Sequence, residues 1–248
     1  LSNELASSQP DVILDSGTPA TAALQRATQT IPIVFVLVAD PVRDHFVGSL
    51  ARPGGNITGF GDSESVIVGK WLELLTQVAP GIKRAAMIFN PDTAPYAKSY
   101  YQPLFEAAAQ ALKVGSAATP VHSESDIEAV MAALAREPGG GLVVPGDAFL
   151  NGRGALITAL AARDRIPVVT NNANMVREGG LLSYGEDYRD KYRQAASYID
   201  RILRGTKPAD LPVQLPTRFQ LVINLKTAKA LGLTVSAEMQ LLADEVIE

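Results

Sequence analysis

Three apolar runs in this chain lack any alternation of polar and apolar residues. Each ends in a short turn of small, polar and proline residues that leads into a helix-forming stretch. They are Asp11-Val-Ile-Leu-Asp-Ser-Gly-Thr-Pro-Ala20, Ala85-Ala-Met-Ile-Phe-Asn-Pro-Asp-Thr-Ala-Pro95 and Leu142-Val-Val-Pro-Gly-Asp-Ala-Phe149. Strands without a polar face are buried on both sides, which predicts an α/β fold with a parallel sheet flanked by helices. In such sheets ligands sit beyond the carboxyl ends of the strands, where loops meet helix N-termini. All three turns bring hydrogen-bonding groups to that edge and none brings an evident catalytic apparatus, which favours holding a small molecule over transforming it.

Composition narrows the choice. With 248 residues, 47% hydrophobic and 19% charged, the chain can bury the core of one or two α/β domains. A net charge of −4 leaves no basic face, so nucleic acid is not expected as a partner. The absence of cysteine excludes disulfides, thiolate metal sites and cysteine nucleophiles. No apolar run approaches the ~20 residues needed to span a bilayer, and no signal peptide is recognisable.

The first series of elements reads as helix 1–8, strand 11–15, helix 19–28, strand 31–38 and strand 57–60. A long helix follows over 65–78, with Val68, Trp71, Leu72, Leu75 and Val78 at helical spacing, where Trp71 reads as core. A second series has strands at 84–89, 117–121, 141–144 and 166–170, with helices at 95–112, 125–136 and 153–163. Ser125-Asp-Ile-Glu128 has capping-box spacing. Strand 181–184, helix 188–203, a proline-bearing crossover over 208–216, strand 219–224 and helices at 225–231 and 237–247 complete the chain.

Two such series imply two doubly wound lobes with a hinge and an interlobe cleft. Lobe one is expected over 1–62 plus about 183–215, and lobe two over about 63–182 plus 216–248. Leu1 begins in a helix with no strand before it, so the first βα unit of lobe one is expected to be missing from this sequence.

Seven stretches carry a resemblance: 11–20, Ile31-Pro-Ile-Val-Phe35, Ser49-Leu-Ala-Arg-Pro-Gly-Gly-Asn-Ile-Thr-Gly59, Gly69-Lys-Trp-Leu-Glu-Leu-Leu75, Phe89-Asn-Pro-Asp92, Gly180-Leu-Leu-Ser-Tyr-Gly185 and Leu221-Val-Ile-Asn-Leu-Lys-Thr-Ala-Lys-Ala-Leu-Gly232. In order and over essentially the whole chain, they resemble the extracytoplasmic solute-binding proteins of ABC transporters, of the tryptophan/tyrosine-binding type. The resemblance implies a periplasmic binding protein type I-like fold. It also implies hinge closure on a small solute, delivery to a membrane ABC permease, and a periplasmic or otherwise extracytoplasmic location. It implies no cofactor and no metal, and the chain is expected to be a monomer. Members carry some tens of residues ahead of the position matching Leu1, including the first strand of lobe one.

Candidate ligand-binding residues follow from the strand ends. Ser16, Gly17 and Thr18 offer backbone N–H groups and two hydroxyls at a helix start, a seat for a carboxylate. The same residues also suit an ordinary cap, with Thr18 as N-cap and Pro19 at the first helical position. Asp40 either shapes the same wall or closes a turn. In lobe two, Asn90 can donate and accept at a strand tip, and Tyr96 can present a ring with its hydroxyl wet. Asp147 supplies a carboxylate for a ligand ammonium, and Phe149 an apolar surface. In the resemblance many members have Pro-Asp where this chain has Gly146-Asp147. Asn171 can hydrogen-bond a ligand or structure its loop, Tyr184 can stack on a planar ligand, and Asp187 reads as a helix cap.

An amino acid, aromatic in the first instance, is the expected solute. Two other classes share the fold expectation: the ligand-sensing module of a regulator or receptor, and a cleft enzyme using paired carboxylates. The chain has no G-x-S-x-G elbow, P-loop or G-x-G-x-x-G. Its two histidines, His45 and His122, lie far apart without ligand-spaced neighbours, so no enzyme is expected.

Overall fold

The computed structural model describes residues 1–62 and 64–248, apart from the side chains of residues 64–66. The chain divides into two compact units, Leu1–Ser63 with Asp187–Arg218, and Glu64–Glu186 with Phe219–Glu248. In chain order the first unit opens with α1 (Ser2–Ser7), β1 (Ile13–Ser16), α2 (Thr18–Ala27), β2 (Ile33–Val38) and β3 (Ile57–Gly61). The second unit continues with α3 (Glu64–Val78), β4 (Arg84–Phe89), α4 (Gln102–Leu112), β5 (Gly115–Pro120), α5 (Glu124–Ala135) and β6 (Gly140–Val144). It goes on through α6 (Ala148–Asn151), α7 (Gly154–Asp164), β7 (Val168–Thr170), α8 (Ala173–Arg177) and β8 (Leu182–Glu186). Helix α9 (Tyr188–Leu203) returns to the first unit. Strand β9 (Phe219–Asn224), α10 (Leu225–Ala230), α11 (Ala237–Leu242) and β10 (Glu245–Ile247) complete the second. Among the described residues no helix is long and apolar enough to cross a membrane.

The first unit holds a parallel sheet in the order β1-β2-β3. Strand β2, Ile-Val-Phe-Val-Leu-Val, is buried at every position but Leu37, which is half-buried. Side chains alternate across a strand, so Ile33 and Phe35 pack with Leu24 of α2. Val34 and Val36 pack on the opposite side with Tyr198 and Ile202 of α9. Beyond β3, Gln214 extends the sheet: its N–H donates to Gly59 O and its carbonyl accepts from Gly61 N–H. The buried Lys191 ammonium donates to Gly61 O at 2.8 Å.

The second unit holds a seven-stranded sheet in the order β10-β9-β8-β7-β6-β4-β5, parallel throughout except where β8 meets β9. The same parity splits its core. Met87 and Phe89 face α3 and α4, in a cluster with Trp71, Leu75 and Phe105. Ala86 and Ile88 face α5 and α7, with Ile127, Met131 and Ile157. Parallel strands and both-face helix cover agree with the α/β expectation. Strand β8 belongs to the second unit, so the chain crosses after Glu186, and again after Arg218, a few residues beyond the positions expected from sequence.

Three local expectations change. The capping box on α5 is formed by Ser123 and Asp126, not by Ser125 and Glu128. Ser123 has extended backbone, and Asp126 also accepts from the His122 N–H at 2.8 Å, so the helix starts earlier. The helix expected from Pro95 begins as a π-helical turn over Ala97–Tyr101 before α4. The last helix ends at Leu242, and Glu245–Ile247 pairs parallel with β9. β-branched Val246 and Ile247 suit that edge, and Asp244 locks it on, its N–H donating to Leu221 O and its Oδ2 accepting from Leu221 N–H, both at 2.9 Å.

Trp71 is fully buried and its indole N–H donates to the Tyr184 carbonyl at 2.6 Å. It therefore ties α3 to β8 by packing and by a hydrogen bond together. Trp71→Ala is expected to destabilise the second unit by about 3–5 kcal/mol, the range for a large core truncation. Trp71→Phe should cost less, retaining most of the volume and losing the bond. Urea unfolding followed by circular dichroism tests both, since Trp71 is the chain's one tryptophan and fluorescence would vanish with it.

Candidate functional site

In each sheet the polar residues collect where parallel strands end. In the first unit β1 runs through Ser16 into Gly17, which is the N-cap of α2 with φ of 89°, a conformation glycine adopts without strain. Thr18 and Pro19 are thus the first two helical residues, and the helix starts one residue earlier than a Thr18 cap would start it. No side chain caps the helix, and a first-turn N–H such as that of Thr18 has no intrahelical acceptor. Ser16 is exposed while Thr18 is buried. The Thr18 hydroxyl accepts from Ala39 N–H at 3.3 Å, joining this turn to the end of β2. Asp40, the next residue, closes a turn: its Oδ1 accepts from Arg43 N–H at 3.0 Å and its carbonyl from Asp44 N–H at 3.0 Å.

Sequence reasoning passed over Asp15. It shares parity with Ile13, so the strand points it inward, and it is only 8% exposed. Its Oδ2 lies 2.6 Å from the Thr21 hydroxyl, while Oδ1 is buried without a partner. Burial in these surroundings lifts its pKa from 3.8 to about 6, against the pull of the Thr21 bond. The available signal was a carboxylate on the apolar side of a buried strand.

In the second unit Asn90 ends β4 and Asp147 follows β6, the strand beside it. They meet directly, Asn90 N–H donating to Asp147 Oδ2 at 3.1 Å. Asp147 Oδ1 accepts from Leu150 N–H at 2.7 Å, capping α6, and from the Thr93 hydroxyl at 3.2 Å. The Phe149 N–H bears on the same carboxylate. Four donors match the roughly four acceptor sites of a carboxylate. Burial raises the Asp147 pKa and these donors oppose the rise. The carboxylate expected to meet a ligand ammonium is engaged in holding two loops together.

Asn90 is arranged the opposite way. It is 3% exposed, and its Oδ1 accepts from Asp92 N–H at 2.8 Å and Thr93 N–H at 3.3 Å. That fixes Nδ2 as the outward group, and among the described residues it makes no hydrogen bond. Asn90 therefore presents a donor. Asn171, at the end of β7, is 4% exposed. Its carbonyl oxygen lies so close to Gly185 of β8 that a Cβ there would overlap it.

The three rings each pack against a neighbouring side chain. Tyr96 packs edge-on to Tyr101, with centroids 5.3 Å apart. Phe149 is covered by Arg153, whose guanidinium carbon sits 3.8 Å from the ring centroid. Tyr184 stacks on Phe219 at 5.6 Å. It lines a groove of about 620 Å³ with residues of α3 and α11, and no strand-end loop residue shares that lining. Asp187 caps α9 through Arg189 N–H at 2.9 Å.

Asp147→Ala leaves the Asn90 and Leu150 N–H groups without acceptors. It is expected to destabilise the second unit by about 1–3 kcal/mol, measured by thermal or urea unfolding. For Asp15 the folded pKa lies above the unfolded one. The fold favours the protonated form, so its contribution is complete below about pH 3.8 and lost as pH rises through about 6. At about 1.36 kcal/mol per unit the loss totals about 3 kcal/mol. Asp15→Asn should remove it, so the stability gap between variant and wild type should change by about 2–3 kcal/mol between pH 4 and pH 8 in urea titrations.

With this geometry in place, comparison with known proteins gives a consistent answer. The model of the family described as ABC transporter substrate binding protein matches residues 1–247. A tyrosine-binding protein of Clostridioides difficile (strain R20291) is 27% identical over 244 residues; the match covers 94% of this chain and 66% of that protein. The chain thus spans just under two thirds of that curated relative. Among solved structures, a conserved domain protein from Vibrio cholerae superposes with a TM-score of 0.88 at 28% identity, covering 99% of this chain and 81% of that one. An ABC domain in complex with L-Trp from Streptococcus pneumonia gives 0.88 at 26% identity, covering 99% and 82%. A parallel-sheet fold shared with these structures and a family match along nearly every residue lead to one conclusion: this chain belongs to the ABC transporter substrate binding protein family.

Proposed function

We propose that the protein is the extracytoplasmic solute receptor of an ABC importer and that its solute is an amino acid, most simply an aromatic one. The strand-end turns of the two units grip the solute and close on it, and the loaded form delivers it to a membrane permease. Nucleic acid has no part in this, and the receptor acts as a monomer without cofactor or catalysis. Closure follows from differential affinity: a solute that contacts both units favours the closed form by the contacts it makes only there.

The observation that carries the reading is the pairing of donors at strand ends. The Ser16–Thr18 turn offers a hydroxyl and a helix N-terminus, which favours an anion by typically ~0.3–1 kcal/mol. Asn90 offers a buried amide donor whose acceptor half is already committed. Such donors suit the carboxylate or hydroxyl of a solute. Asp147, with its acceptor sites taken, positions Asn90 rather than touching the solute. The relatives named for tyrosine and found with L-Trp supply the aromatic choice.

Titration calorimetry against tryptophan, tyrosine, phenylalanine, leucine and benzoate-type acids tests the reading. One amino acid should bind 1:1 at micromolar Kd or tighter, with no product formed; turnover of any of them would reject the receptor assignment. Asn90→Asp keeps the turn's acceptor and removes the donor, so it should weaken binding by about 1.5–3 kcal/mol, the range for a hydrogen bond to a charged group. An unchanged affinity would remove Asn90 from the site.

A further inference from the structure

We infer that Asp15 is a positioning residue for the solute-binding turn: acting through Thr21, it sets whether a hydroxyl holds the Gly17 carbonyl, and thereby makes the turn's grip on a carboxylate depend on pH. The inference rests on the reading that Ser16–Thr18 receives an anionic group.

One hydroxyl hydrogen stands between two acceptors. The Thr21 hydroxyl lies 2.6 Å from Asp15 Oδ2 and 3.2 Å from Gly17 O. A hydroxyl has one hydrogen to donate and lone pairs to accept with. If Asp15 is ionised, that hydrogen goes to the carboxylate and Gly17 O loses it. If Asp15 is protonated, its own O–H donates to Thr21 and the Thr21 hydrogen passes to Gly17 O, so the Thr21 hydroxyl serves both neighbours. Asp15 Oδ1 is sealed from solvent and has no donor, a placement that a neutral acid tolerates and a carboxylate does not.

Gly17 O also receives the first helical bonds, from Ala20 N–H at 3.1 Å and Thr21 N–H at 3.2 Å, while Gly17 N–H is held by Val36 O at 2.9 Å. The hydroxyl thus acts at the residue that sets the direction of the turn. Ionisation also puts a negative charge behind the helix N-terminus, against an incoming anion.

Among the described residues no other charged group acts on Asp15. Strand β2 has none, α2 carries only Arg26, exposed in its last turn, and Asp11 on the same chain segment is exposed. Glu4 of α1 is exposed. In the loop after β2, Asp40 is turned to Arg43 N–H, and Asp44 lies further along that loop.

Affinity for a carboxylate-bearing solute should therefore fall as pH rises through the Asp15 titration near pH 6. The test has two arms. In the ligand-free protein, NMR should show the Asp15 carboxyl carbon and the Thr18, Ala20 and Thr21 amides titrating together. In Asp15→Asn, whose amide donates to Thr21 as the acid does, those amide titrations should disappear. Calorimetry with whichever amino acid of the panel binds should give a Kd about tenfold weaker at pH 8 than at pH 5, within the usual span of coupling. Asp15→Asn should bind at pH 8 as wild type does at pH 5, and Thr21→Val should bind weakly at both. Turn amides that ignore the Asp15 titration, or an affinity equally pH-dependent in Asp15→Asn, would overturn the inference. A shared titration with no amino acid bound would instead refute the solute reading, because the first arm needs no ligand.

Discussion

A parallel strand cannot turn directly into its neighbour; its chain must cross back over the sheet, and here helices do that. In the second unit this constraint sends β4, β6 and β7 out at one edge, each into a turn and then a helix. Polar residues that the buried strands cannot hold therefore gather there, as Asn90, Asp147 and Asn171. The first unit repeats the arrangement with Ser16–Thr18 after β1 and Asp40 after β2. The chemistry of each candidate site is thus a by-product of strand direction, refined by which side chains stand at the exits.

Among the described residues one strand pairing is antiparallel, β8 with β9, and it breaks this rule for a reason of connectivity. The chain leaves the second unit after Glu186 and re-enters at Phe219, and Glu186 and Phe219 are register partners. Exit and return lie side by side, so the two crossings share one hydrogen-bonded ribbon. Trp71 braces it from α3 through the Tyr184 carbonyl, and the Tyr184–Phe219 stack covers it. Tyr184 and Phe219 thus stack within the second unit, close in sequence to where the chain leaves it and returns.

Much of this was legible in the amino-acid order. Buried strands showed as runs without alternation, and β4, α9 and β9 fall at the expected residues. Trp71 shows the helical spacing of a core face and is fully buried. What stayed hidden was partner choice. Whether Ser123 or Ser125 caps α5 depends on which of them finds an N3 partner in space. Whether Val246 and Ile247 prolong a helix or join a sheet depends on β9 having a free edge. The ring residues follow the same pattern: sequence shows that Tyr96, Phe149 and Tyr184 are aromatic and near strand ends, but not that Tyr101, Arg153 and Phe219 cover them.

Asp15 and Asp147 start alike and end differently. Both carboxylates lie at the end of an apolar strand just before a helix, and both are buried. Burial alone favours the neutral acid in each. At Asp147 the donors of Asn90, Thr93, Phe149 and Leu150 oppose it, and the group becomes a clamp between loops. At Asp15 only Thr21 does, and one oxygen has no donor at all. Residue type and position are the same; the number of donors that the fold delivers decides whether the carboxylate is cemented into the structure or left poised to exchange a proton beside the turn it supports.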